Sequence, residues 1–301
     1  MDVTVAIVSY NVAPLLERCL VTVERALAEM GGGLAIVVDN ASSDGSTARV
    51  RQSFPLVRLI ENAENAGFGA ACNQALAATE SETVVFLNPD AELRDGALPA
   101  LVGALESRPA AALCGPRLVY PDGRRQSSRR RFPSLPVLLL ESTPLEWRTP
   151  RWPALAAYYR DDAPAGASRE DWLSGGCLIG RTLALRSVGG FDSAFFMYFE
   201  EVDLCRRLAA RGWETWYVPD AVVAHHHSRS ADQDLIAKDQ RYYRSKYRYA
   251  ARYFGRTTSR AIRLVAAAQF AVELAIQRRR GEAALVERYV ALLRWHLSAD
   301  E

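Results

Sequence analysis

The sequence predicts an α/β protein: a mixed, mostly parallel sheet with helices on both faces, closed by a helical C-terminal extension. Three observations carry that prediction. Strand-like apolar runs alternate with helix-length stretches as far as Asn88, polar and acidic residues gather directly after each strand, and the chain beyond Asp232 is helical in period and basic.

The elements follow in order. VTVAIVSY reads as a buried strand, APLLERCLVTVERALAEM places apolar residues at helical spacing, and LAIVVDN is a second strand. TARVRQSF is a helix before the strand VRLIEN, and GAACNQALAAT is a helix leading into ETVVFLN. This βαβαβ rhythm implies a parallel sheet, in which ligands sit at the carboxyl ends of the strands. From about Gly115 to Asp171 the period fades among prolines and the basic stretch GRRQSSRRRF, which reads as long loops over the sheet, a common place for substrate contacts. Period returns at WLSGGCLIGRTLALRSVGGF, a helix with apolar Val202, Cys205 and Leu208 follows, and TWYVPDAVVAHHHS is a further strand. The basic helices after it are broken at Gly255 and Gly281. Two domains are expected, residues 1–230 and 231–301.

Composition narrows the class. With 301 residues, 49% hydrophobic and 24% charged, the chain can bury a sizeable core and has no mark of disorder or of a fibrous repeat. The net charge of +2 hides an asymmetry: residues 238–301 hold fourteen Lys and Arg against six Asp and Glu, and the rest holds twenty-three against twenty-nine. The longest apolar run, LVAAAQFAVELAI from Leu264, is too short to span a bilayer and carries Glu273. RYYRSKYRYAARYFGR interleaves Tyr and Arg in the manner of an interfacial anchor, so docking on an anionic membrane surface is expected of it. Five scattered cysteines with no C-x-x-C pair fit reduced thiols, and the N-terminus shows neither a basic n-region nor a cleavage site. A cytoplasmic protein, peripheral on the inner face of the membrane, is the expectation.

The residues after the strands form a consistent set. They are Ser9-Tyr10-Asn11, the turn from Asp39 and Asn40 to Ser46, Asn62 to Asn65 with Gly67 and Gly69, and Asn88-Pro89-Asp90-Ala91-Glu92. No G-x-G-x-x-G or P-loop pattern occurs, so dinucleotide and P-loop sites are disfavoured. A nucleotidyltransferase would want a glycine-rich loop with Arg and Lys near the N-terminus, where VSYNVAPLLE has none. A nucleic-acid-binding role for the basic tail would leave the strand-end clusters unexplained, and no nucleic-acid partner is expected. Asp44 is accounted for by its turn and a helix cap. Glu200, Glu201 and Asp203 open a helix, where carboxylates complement the macrodipole, and Asp203 is placed to pair with Arg207.

Seven stretches, VSYN, VVDNASSDGS, NAGFGAACNQAL, FLNPDAEL, WLSGGCLIGR, GGFDSAFFMYFEEVDLCRRLAARGW and VPDAVVAHHHSRS, span about residues 3 to 230 in one order. Together they resemble the family 2 glycosyltransferases of the GT-A fold (the Rossmann-like nucleotide-diphospho-sugar transferases), and within them the rhamnosyltransferase-like branch that builds bacterial surface polysaccharides. The resemblance implies an inverting transfer of a sugar, L-rhamnose from its deoxythymidine diphosphate donor or a sugar from a UDP or GDP donor, to a glycan or a polyprenyl-diphosphate-linked acceptor. It implies that Asp39, with Asn40, meets the nucleotide base, and that Ser9, Tyr10, Asn11, Asn65, Gly67, Asn73 and Asn88 line the donor site. Asn88-Pro89-Asp90 stands where the family has its D-x-D motif, with Asn88 in place of the first acid. Asp90 and His225 would hold Mg2+ or Mn2+, with His226 and His227 as alternates. The second acid of the family's acidic pair, its general base, matches Glu201, where Asp is usual; Glu200 and then Asp203 follow as candidates. Trp172, Gly175 and Gly176 would form the acceptor floor, and Arg130 and Arg131, beside Arg129, would hold acceptor phosphates.

Overall fold

The computed structural model describes residues 1–148, 152–162, 164–226 and 235–298. Along the chain run β1 (Val3–Ser9), α1 (Ala13–Glu29), β2 (Leu34–Asp39), α2 (Ser46–Ser53), β3 (Arg58–Glu61), α3 (Phe68–Ala78), β4 (Thr83–Leu87), β5 (Ala91–Leu93), α4 (Ala97–Glu106), β6 (Ala111–Val119) and β7 (Arg129–Arg130). Next come α5 (Leu135–Leu140), α6 (Pro144–Arg148), α7 (Pro153–Tyr158), β8 (Ser168–Glu170), β9 (Trp172–Leu173), β10 (Cys177–Arg181) and α8 (Thr182–Ser187). The chain closes with α9 (Glu200–Ala209), β11 (Glu214–His225), α10 (Leu235–Phe254), α11 (Arg256–Arg280) and α12 (Ala283–Leu297).

Two compact units result: Met1–Arg131 with Arg160–Phe196 and Glu200–Ser230, and Phe132–Tyr159 with Met197–Phe199 and Ala231–Glu301. The expected boundary at residue 230 falls outside the described residues.

The first unit is built on a sheet of order β3-β2-β1-β4-β10-β6-β11-β5, with β8 on β11. β3, β2, β1 and β4 run parallel, β10 runs against both β4 and β6, and β11 returns parallel to β6. The continuous apolar runs exist because both faces are covered. Val5, Ile7, Val37 and Val85 pack with Leu16, Leu20 and Leu101 of α1 and α4, while Phe86, one position out of phase, meets the Phe191 ring at 5.0 Å on the other face. Register then fixes the site: Ser9 pairs with Asp39, Cys177 with Leu87, and His225 with Ala91.

The weakly periodic stretch after Gly115 is more ordered than its prolines suggest. β6 runs through Pro116, which pairs with Val218 where the β11 register shifts, and a bulge of this kind tolerates the missing N–H.

In the second unit Gly255 (φ 90°) and Gly281 (φ 75°) break the helices as expected. Gly281 closes α11 with its own N–H on the Arg278 carbonyl and that of Glu282 on Gln277. The tyrosines and lysine of α10 expected at an interface are packed inside the unit instead. Tyr243, Lys246, Tyr247 and Tyr249 are buried, with the Tyr243 ring against Phe270 and His296, and Lys246 donating to the Glu141 carbonyl. Among the described residues no helix is long and apolar enough to cross a membrane.

Candidate active site

The carboxyl edge of the first unit gathers most of the expected residues. Asp39 ends β2 with only 2% of its surface exposed; its Oδ1 accepts the Ser42 amide at 2.8 Å, and its Oδ2 is buried with no hydrogen-bond partner, as is Ser9 Oγ beside it. A buried acceptor left open at a strand end invites a donor from a ligand. Tyr10 is half-buried directly after β1. Asn11 (φ 53°) and Ala41 (φ 65°) take left-handed backbone, and Asn11 Oδ1 accepts the Ser43 amide at 2.7 Å, so these two strand-end loops are tied together. Asp44 caps as expected, taking the Ala13 amide at 2.7 Å and the Ser46 amide at 3.1 Å.

At the next edge, His225 stands over the turn after β4. Its Nε2 lies 3.2 Å from Asn88 Nδ2 and 3.3 Å from Asp90 Oδ1. Its Nδ1 donates to Gln126 Oε1 at 3.0 Å, and the Gln126 amide returns a bond to the His225 carbonyl. That clasp fixes the ring, with Nδ1 held on Gln126 and Nε2 turned toward Asp90. Burial works against the Asp90 charge, but the bond and charge of His225 outweigh it and hold the carboxyl below the usual range. A carboxylate and an imidazole side by side fit a divalent cation, better the borderline Mn2+ than Mg2+, which prefers oxygen alone. Among the described residues no set of three or more His, Cys, Asp or Glu side chains converges in a way that could hold a metal ion. His226 turns to Glu92 at 2.9 Å and does not join them, and His227 lies outside the described residues.

Gln126 is the residue that sequence reasoning missed. It sits in the basic stretch between β6 and β7, and its one distinguishing mark there is a neutral amide among arginines.

The acidic pair opens α9, after Tyr198 (φ 68°) and Phe199 (φ 64°), two consecutive residues in a conformation that costs strain and concentrates at functional sites. Burial raises Glu200 well above its ordinary range, with the neighbouring Glu201 charge adding to it. Burial also pushes Glu201 up to about 7, against the pull of the amides of Glu201, Val202 and Gly175 and of the Arg130 charge. One carboxylate oxygen of each, Oε2, is buried without a hydrogen-bond partner. Gly175 leaves its space open beside Glu201: the atom nearest to a Cβ at this position would be Glu201 Oε1, 3.8 Å away. The adjacent Gly176 gives its carbonyl to the Asn88 amide at 3.1 Å, and a Cβ there would stand 3.3 Å from the His225 ring. One Gly-Gly step therefore touches Glu201 on one side and the Asn88, Asp90 and His225 cluster on the other.

Several residues expected to meet ligands are used by the fold. Asp203 is fully buried against Arg207 at 2.6 Å, and that arginine also donates to the Val188 and Gly190 carbonyls. Asn73 clasps the backbone of Phe191, accepting its N–H at 2.8 Å and donating to its carbonyl at 2.7 Å. Asn40 donates to the Gly67 carbonyl and accepts from Asn62, and Asn65 accepts the Gly67 amide. Gly67 (φ 85°) is required by the chain itself, since a Cβ would come 2.5 Å from the Phe196 carbonyl oxygen that the Phe68 amide bonds. A Cβ at Gly176 would meet Leu118 Cδ1 at 3.1 Å and the His225 ring at 3.3 Å, so the fold itself uses the space this glycine leaves. Trp172 is buried, with its Nε1–H on the Arg131 carbonyl at 2.8 Å, which makes it the anchor of that strand rather than an open stacking face. Arg129 is spent inside on Glu170 at 2.8 Å. Arg130 bonds Ser127 while its charge reaches Glu201, and Arg131 is exposed, 3.7 Å from Asp171.

Comparison with known proteins identifies the family. Residues 4–167 match the family model described as glycosyl transferase family 2. The N-acetylglucosaminyl-diphospho-decaprenol L-rhamnosyltransferase of Mycobacterium tuberculosis is 34% identical over 258 residues, covering 82% of this chain and 83% of that protein. The rhamnosyltransferase WbbL of Escherichia coli K12 is 29% identical over 199 residues, 62% of this chain and 70% of that protein. Among solved structures, the mannosyltransferase PcManGT of Pyrobaculum calidifontis, in complex with GDP-Man and Mn2+, superposes with a TM-score of 0.60 at 19% identity, covering 100% of this chain and 88% of that one.

Proposed function

The chain belongs to glycosyl transferase family 2, and from that premise we propose that it is an inverting glycosyltransferase that moves L-rhamnose from dTDP-rhamnose to a hydroxyl of a polyprenyl-diphosphate-linked glycan. One observation carries the mechanism: the Gly175-Gly176 step with Glu201 on one side and His225, Asn88 and Asp90 on the other. That arrangement supports a base and a leaving-group site flanking one small opening.

Asp39 Oδ2 would take the imino N–H of the nucleotide base, with Ser9 Oγ next to it. Asp90 and His225 would hold Mg2+ or Mn2+ against the donor diphosphate, and that cation would offset the charge gathering on the departing nucleoside diphosphate. Glu201 accepts the proton of the acceptor hydroxyl as its oxygen bonds to the anomeric carbon and the bond from that carbon to the diphosphate oxygen breaks. With base and leaving group on opposite faces, a single displacement inverts the centre, and no enzyme nucleophile is required. A carboxyl near 7 suits this task, because about half of it is ionised at neutral pH and it is basic enough to take a proton. Arg130 ends β7 with its charge reaching Glu201, and Arg131 follows it directly; guanidinium groups there would suit the acceptor's phosphates.

The lipid-linked acceptor of the mycobacterial relative favours the same acceptor class here and a peripheral place on the cytoplasmic face of the membrane. The test is a panel of nucleotide sugars with Mg2+ or Mn2+, following nucleoside diphosphate release with and without a short polyprenyl-diphosphate acceptor. Turnover of dTDP-rhamnose alone, dependent on the acceptor and removed by chelation, is the expected result. Preference for a UDP or GDP donor would overturn the sugar assignment, and no turnover of any donor would overturn the activity.

A further inference from the structure

Helix α11 carries its polarity inside out. The face turned into the second unit holds Ile262, Ala266, Phe270 and Leu274, but also Ser259, Glu273 and Gln277, the last two each 5% exposed and bonded to one another at 2.6 Å. The opposite face is apolar throughout. Ala261, Leu264, Val265, Ala268, Ala271, Val272 and Ala275 are all exposed, Leu264 to 63% and Val272 to 62%. At about 100° per residue they form one continuous stripe, roughly 20 Å long. A helix facing water places its polar residues there, and a contiguous apolar surface of this kind marks a contact.

The charge around the stripe says with what. Arg256 and Arg260 are exposed at its start and Arg278, Arg279 and Arg280 at its end, while the only carboxylate of the helix, Glu273, is buried. Arg260 and Arg278 fall on one flank of the stripe and Arg279 continues its line. A second copy of the chain packing this face on itself would set arginines against arginines at both ends, in either orientation, which disfavours self-association. An anionic phospholipid surface satisfies both features: the stripe enters the interface and the arginines meet the headgroup phosphates. The helix is not apolar enough to cross.

We propose that the outer face of α11, from Ala261 to Ala275 with its bordering arginines, is the surface by which this protein lies on anionic membranes. It deepens the peripheral-membrane part of the reading above and is independent of its chemistry.

The experiment is co-flotation of the full chain with vesicles of phosphatidylglycerol and phosphatidylcholine, against phosphatidylcholine alone, comparing the native sequence with Leu264→Glu/Val272→Glu and with Arg278→Gln/Arg279→Gln. Expected are partition into the anionic vesicles that weakens with salt, at least a tenfold loss for the glutamate pair, and about a fivefold loss per arginine removed. Circular dichroism and nucleoside diphosphate release with soluble substrates, unchanged in both variants, confirm that the fold is intact. Equal flotation of all three proteins, or none by the native chain, overturns the proposal. A concentration-dependent dimer in analytical ultracentrifugation, lost with Leu264→Glu, also overturns it and assigns the face to a second copy. Because flotation needs no donor, failure of the transferase assay leaves this result readable, and the reverse also holds.

Discussion

Asp90 and Glu201 are carboxylates of the same unit, both taken largely out of water, and their surroundings drive them in opposite directions. At Asp90 burial raises the cost of charge, yet the His225 ring 3.3 Å away more than offsets it, and the group stays anionic. At Glu201 burial prevails over the amides and Arg130, and the group rises to about 7. In the proposed mechanism the difference separates two tasks: the group that would hold a cation is kept charged, and the one that would gain a proton during the reaction is set near the working pH.

The strongest way to break this comparison is to remove each carboxylate in turn. Glu201→Gln keeps the shape and deletes the base, and kcat should fall by about 10^2 to 10^4, with donor binding by calorimetry unchanged. Asp90→Ala should cost a comparable factor in transfer but also abolish metal-dependent binding of the nucleoside diphosphate. If both variants lost donor binding equally, the division of tasks would fail.

A smaller effect sharpens the metal side. Gln126 bonds both the ring and the carbonyl of His225, so Gln126→Leu frees the ring to turn and to change tautomer. Mn2+ affinity in the presence of dTDP, read from the free-ion EPR signal, should fall by about 10 to 100-fold, while kcat at saturating Mn2+ stays near native. An unchanged affinity would reduce Gln126 to packing.

The pH profile sharpens the base side. Glu201 works as the carboxylate, so kcat/KM should drop about tenfold per unit below pH 7 and level off above it. Stability runs the other way. The folded pKa lies above the ordinary 4.5, so the contribution is whole below pH 4.5 and is lost as pH rises through about 7. Thermal unfolding should therefore show a decline between those values that Glu201→Gln flattens.

How much of this is legible in the sequence depends on the range of the interactions. The strand ends can be read because β1, β2 and β4 are unbroken apolar runs whose last residues must emerge at one edge, and the places of Asp39 and Asp90 follow from that, whereas it is the family resemblance that singles out His225 from three histidines. Asn73 misleads because its partner, Phe191, lies 118 residues away, and the Gln126 contact with His225 spans 99. Local pattern carries no trace of such contacts. Helix α10 misleads for another reason: Tyr and Lys have long apolar stems, so the helix can bury Tyr243, Lys246, Tyr247 and Tyr249 that the pattern alone would leave at a surface.

The smallest expected effect decides between the two glutamates. Glu200 is 5% exposed, and burial, with the Glu201 charge adding to it, raises its carboxyl well above the ordinary range and favours its protonated form. Glutamine is a near copy of a protonated glutamate in size and polarity. Glu200→Gln should thus change kcat by less than about tenfold and leave the acid limb of the pH profile close to native, in contrast to the loss at Glu201. A reversed outcome, with Glu200→Gln inactive and Glu201→Gln active, would move the base one residue toward the N-terminus. Neighbouring helical positions differ by about 100° in direction, so that reversal would also take the base away from the Gly175 opening.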